Sequence, residues 1–144
     1  MTSTRKLKIW TVTTHAFIIV SFGHGIITLG LLEILWFPYF TKDGFTLNLK
    51  APFETRIATV GFWTLVGQLS MIFSIISQKD ATKRGFHLFS LFLLWLSIIY
   101  SSVNINNETN IHFSTFTAIP FLLCTIITFA AKPIIRFYRW ALDE

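Results

Sequence analysis

Apolar runs separated by short charged breaks dominate the chain. A helix needs ~20 apolar residues to cross the hydrocarbon of a bilayer. This predicts four spans, at about 10–37, 57–77, 86–103 and 111–131. Pro38 ends the first, and Lys132 with Pro133 stops the fourth. All four are expected to be helical, because unpaired backbone groups are costly in lipid. Between them lie a loop at 38–56, a loop at 78–85 and a tail at 132–144. In the first loop, Tyr39-Phe40-Thr41 and Phe45-Thr46-Leu47 flank Asp43-Gly44, which suits a small hairpin or an irregular loop. In the tail, Ile134, Phe137, Tyr138 and Ala141 recur at helical spacing, predicting a short interfacial helix anchored by Trp140. The expected fold is an all-α, integral membrane four-helix bundle in one domain, 1–144.

Charge gives the bundle a direction. Arg5, Lys6, Lys8, Lys79, Lys83, Arg84, Lys132, Arg136 and Arg139 fall on one side of a four-span layout, against Lys42, Lys50 and Arg56 on the other. That bias puts both termini in the cytoplasm (N-in/C-in). It also accounts for the net charge of +5 without a nucleic-acid partner. The first run is too long for a signal peptide and lacks a small-x-small cleavage site, so it reads as a retained span. Apolar residues make up 53% of the chain and charged ones 13%, too little polar surface for an ordinary soluble domain. The single cysteine, Cys124, excludes an intramolecular disulfide and a cysteine-based metal site. Asn107-Glu108-Thr109 matches a glycosylation sequon beside the membrane, and little rests on it.

The first span carries His15, His24 and Glu33 inside apolar sequence. On one continuous helix, nine positions turn about 900°, half a turn beyond two whole turns. His15 and Glu33 would then share one face and His24 the opposite one. Thr13, Thr14, Ser21, Gly25 and Thr28 surround His24, whereas Ile18, Ile19, Phe22, Ile26 and Leu29 surround His15. Small and hydroxylated residues favour close helix packing, so His24 is expected inside and His15 toward lipid. An ionisable residue at mid-depth is a functional candidate, and a satisfied interhelical donor is the plain alternative. Gln68, Thr64, Ser21 and Thr28 are the expected ligand-binding companions of His24. Ser90, Ser97 and Ser101 on span three, and Ser114, Thr117 and Thr128 on span four, form stripes that read as packing.

A second polar group, Glu33, Glu54, Arg56 and His112, is expected at the outer ends of the spans, with Glu33 and Arg56 as a candidate ion pair. The function expected from these residues is binding of a lipidic small molecule, or service as an accessory subunit of a larger membrane complex. The alternative is an enzyme acting on a lipid or quinone with His24, Glu33 and His112 as acid–base groups. No catalytic motif such as HExxH or GxSxG is present. A third reading ligates a haem between His15 and His87, which sit at similar depth. No cofactor or metal is otherwise expected. Expected partners are membrane lipids, with a homo-oligomer as a further option.

The His24-Gly25 pair, the long first loop with Glu54 and the three closely spaced later spans resemble the layout of the DoxX-like small four-helix membrane proteins. The likeness implies a bacterial inner-membrane protein, sometimes associated with redox partners. It carries no catalytic residue over to this chain.

Overall fold

The computed structural model describes residues 3–22, 25–39, 45–48, 51–102 and 108–142. Over these the chain is all-α apart from one small hairpin. Helix α1 is Ser3–Ala16, strands β1 (Ile19–Phe22) and β2 (Gly25–Thr28) follow, and α2 is Leu29–Trp36. A 3-10 turn at Phe37–Tyr39 leads toward α3 (Phe53–Ile76), α4 (Asp80–Ser102) and α5 (Glu108–Leu142).

The continuous helix expected over 10–37 does not form. Two β-branched runs, Ile18-Ile19-Val20 and Ile26-Ile27-Thr28, sit on either side of Gly23 and Gly25, and such runs favour strands over helix. They pair antiparallel, Ile19 with Thr28 through Phe22 with Gly25. Thr28 then caps α2, its hydroxyl accepting from the Leu31 amide at 3.4 Å. At about 1.5 Å per residue, neither the 14 residues of α1 nor the 8 of α2 reaches across ~30 Å of hydrocarbon. Gly30 lets α2 lie against α1, since a β-carbon there would come within 3.2 Å of Ala16.

The later helices follow the expected positions with different ends. Helix α4 begins at Asp80, so most of the expected loop 78–85 is helical. Asp80 stands in its first turn, where a carboxylate favours the N-terminal end of the helix dipole. Helix α5 passes through Pro120 and Pro133, and the tail continues it rather than forming a separate helix. Among the described residues, two helical stretches are long and apolar enough to cross a membrane, Thr55–Ile76 and Asp80–Ser102, and the apolar part of α5, Ser114–Ala130, is shorter. The Asp43-Gly44 hairpin and Asn107 fall outside the described residues.

The most extensive packing is between α3 and α4, which are joined by a short link. Gly67 allows their close approach, since a β-carbon there would lie 2.8 Å from Leu94 Cδ2. Ser90 Oγ donates to the Gly67 carbonyl at 2.7 Å, so the two backbones are held together at that point. Helix α1 and strand β1 lie against α5. Ile18, Leu29, Leu32, Met71, Leu94 and Phe121 fill the centre.

Candidate functional site

Helix α1 aims its polar face inward. Lys8, Thr11 and His15 follow the i+3/i+4 rule and are all buried. Lys8, 4% exposed, donates from Nζ to Ser74 Oγ at 2.9 Å and to the Ser74 carbonyl at 3.4 Å.

His15 is fully buried, against the expectation that it faces lipid. Its Nε2 lies 3.0 Å from Ser97 Oγ and 3.2 Å from the Leu94 carbonyl, while Ser97 Oγ donates to that same carbonyl at 2.8 Å. A carbonyl only accepts, so Nε2 carries the proton and donates. Nδ1 is buried with no hydrogen-bond partner among the described residues. The Phe121 ring meets the imidazole edge-on at 5.0 Å. The expectation failed because the hairpin interrupts the helical rotation on which it depended. His15 and Glu33 belong to two short helices, so their shared inward position owes nothing to one helix face.

Glu33 is 5% exposed, and its Oε1 accepts from Gln68 Nε2 at 2.8 Å. Gln68 therefore serves the Glu33 carboxyl. Arg56, also fully buried, donates from Nη1 to the Tyr100 carbonyl at 2.7 Å. Thr64 donates to its own helix at the Val60 carbonyl, and Thr28 is spent as a cap. Ser21 lies in β1 opposite Ile26. His24 falls outside the described residues, as do the side chains of Glu54 and His112. Of the expected ligand-binding set, the described hydroxyls and amide thus serve structural bonds. Gln68→Leu strips Glu33 of this donor and is expected to cost on the order of 1 to 3 kcal/mol. Glu33→Gln, which keeps an acceptor oxygen for Gln68, should cost less; chemical denaturation in detergent reads both. Equal midpoints for Gln68→Leu and the parent chain would show that this bond does not matter.

The open space lies elsewhere, along α4 and α5. A cleft of about 440 Å³ is lined by Lys8, Asp80, Lys83, Arg84, His87, Thr128 and Phe129. Positions 80, 83, 84 and 87 share one face of α4 at helical spacing. The His87 Nε2 is buried there without a hydrogen-bond partner among the described residues. An apolar groove of about 500 Å³ is lined by Trp95, Thr125, Ile126, Phe129 and Ala130. Phe129 belongs to both linings, so the basic cleft and the apolar groove adjoin. Composition and spacing did not single out either. Lys8, Lys83 and Arg84 read as orientation signals, although their recurrence with His87 near the ends of two apolar stretches was the available clue.

The basic cleft takes in His87 but not His15, whose Nε2 is committed to Ser97 and Leu94. Among the described residues, no group of three or more His, Cys, Asp or Glu side chains is placed to hold a metal ion. No family model, curated protein or solved structure matches the chain. The DoxX-like likeness is therefore one of layout alone.

Proposed function

We propose that this chain is a four-span integral membrane protein of the bacterial inner membrane, both termini cytoplasmic, that binds a lipidic molecule in the groove between α4 and α5. The membrane reading is supported by buried hydroxyls in the core and by many large apolar side chains on the surface. Ser74, Ser90, Ser97 and Thr64 are buried, while Phe73, Phe92, Ile76 and Phe116 are among the exposed. Water-soluble domains bury their large apolar side chains in preference to hydroxyls. In lipid, small hydroxylated residues pack helices together and bulky ones face the acyl chains. On this reading α1, the hairpin and α2 together make the first crossing.

The observation that carries the binding function is the apolar groove itself, which adjoins the polar cleft beside it at Phe129. Ligand sites are concave and mainly apolar, with a few polar groups that fix orientation. Trp95 gives the groove a broad, rigid wall. Ala130→Trp should fill the groove from α5. Native mass spectra of the full chain in mild detergent are expected to show a lipid adduct that this variant lacks, with its melting temperature unchanged. An adduct of equal abundance in Ala130→Trp would remove the groove as the binding place.

One observation favours the accessory-subunit reading as a second. Strand β2 pairs with β1 on one side, and Ile26 on it is 69% exposed. A strand edge within hydrocarbon has to be covered by protein. A photo-crosslinker at Ile26 would then capture a protein, either a second copy of this chain or a larger partner, rather than lipid.

A further inference from the structure

We infer that the basic cleft formed by α1, α4 and α5 takes the phosphate headgroup of an anionic lipid whose acyl chain lies in the adjoining Trp95–Ile126 groove. This rests on the proposed lipid-binding function and adds to it the class of the ligand.

The charges around the cleft do not balance. Lys8, Lys83 and Arg84 face one carboxylate, Asp80. Lys8 is a preset donor, because its two bonds to Ser74 hold the ammonium in place. An ammonium has three protons, so one remains for a ligand oxygen. Two ammonium groups, Lys8 and Lys83, line the same cleft, and their like charges repel. A phosphate between them reverses that repulsion and adds charge-assisted hydrogen bonds. The cleft also holds a buried imidazole nitrogen, His87 Nε2, without a partner among the described residues. A phosphate oxygen offers it one, since a protonated Nε2 donates and phosphate accepts. Arg84 adds a planar fork suited to two phosphate oxygens at once.

Charge complementarity selects a phosphate, and the continuation into an apolar groove selects a lipid over the free ion. Phe129 stands where head and chain would meet. The arrangement places the headgroup among the charged residues at the start of α4 and the chain alongside its apolar middle. That is the direction in which a lipid of the same leaflet would lie.

The test uses the full chain in mild detergent and native mass spectrometry. Phosphatidylglycerol and phosphatidylcholine of identical chains are titrated separately, and inorganic phosphate is added in a third arm. The variants are Lys83→Gln/Arg84→Gln, on half-buried and exposed positions of α4, and Ala130→Trp. The parent chain is expected to favour phosphatidylglycerol by about thirtyfold, as two cations near a membrane surface would supply. Lys83→Gln/Arg84→Gln should bring the two lipids within about twofold while phosphatidylcholine binding persists. Equal binding of both lipids by the parent chain would overturn the headgroup assignment and leave the groove standing. Loss of both lipids in every sample would overturn the groove and, with it, the headgroup. Displacement of phosphatidylglycerol by low-millimolar inorganic phosphate would assign the cleft to the free ion and overturn the lipid assignment.

Discussion

Gly67→Leu is expected to keep α3 and α4 from closing and to abolish recovery of folded protein in detergent. Even a single β-carbon at Gly67 stands 2.8 Å from Leu94 Cδ2, 3.1 Å from its Cγ and 3.3 Å from Leu93 Cβ. Leu94 is fully buried, so its end cannot swing into open space. Gly67→Ala should therefore cost about 1 to 3 kcal/mol, the usual range for overpacking. A leucine adds three more carbons at the same place and must separate the backbones. Separation also lengthens the Ser90 bond to the Gly67 carbonyl, now 2.7 Å. Leu94→Ala alone leaves a cavity worth about 2 to 5 kcal/mol. Combined with Gly67→Ala, it should cost less than the sum, because one change makes room for the other. A coupling of about 0.5 to 3 kcal/mol in this double-mutant cycle is the expected sign of contact. Full recovery of folded Gly67→Leu, melting like the parent chain, would show that the two helices do not meet here.

His15→Ala carries the second large effect, a loss of about 3 to 5 kcal/mol by analogy with truncation of other buried aromatic rings. One ring ties three elements together. It belongs to α1, bonds to α4 at Ser97 and Leu94, and packs on Phe121 of α5 at 5.0 Å. His15→Phe keeps the ring and drops the donor, so it should recover part of the loss and retain a penalty of about 1 to 3 kcal/mol. Ser97→Ala in the His15→Phe background should then cost less than Ser97→Ala alone. Denaturant midpoints in detergent measure all four chains. If His15→Ala unfolds at the same midpoint as the parent chain, α1 is not held through this residue.

Helices α3 and α4 could be read from the sequence because each is an apolar run of spanning length. Their ends were harder. Asp80 through Gly85 are too polar to register as part of a span, yet a helix needs no lipid to continue and Asp80 suits its first turn. Lys132 and Pro133 mark a stop by sequence, although α5 continues through both. The first run misled most. Apolar content alone cannot separate helix from strand, and the rotation argument required one unbroken helix. The β-branched residues around Gly23 and Gly25 carried the opposing signal. Once the hairpin intervenes, the relative direction of His15 and Glu33 depends on tertiary packing. The basic cleft was illegible for a related reason. Lys8 and Lys83 are 75 positions apart in sequence, and only the docking of α1 onto the bundle makes them neighbours.

The Lys8 and His15 bonds have a consequence for the order in which the protein is made. Their partners, Ser74 and Ser97, are 66 and 82 positions further along the chain. At ~5 to 20 residues per second, the ribosome needs roughly 3 to 16 seconds to supply them. During that interval α1 has an ammonium and an imidazole with no bonding partners from α3 or α4, and it has only 14 residues. Helices α3 and α4, joined by a short link, close against each other at little entropic cost as soon as both exist. Helix α1 therefore locks into place only after α4 is complete, and until then the growing chain has to keep the Lys8 and His15 side chains in water or at the headgroup surface.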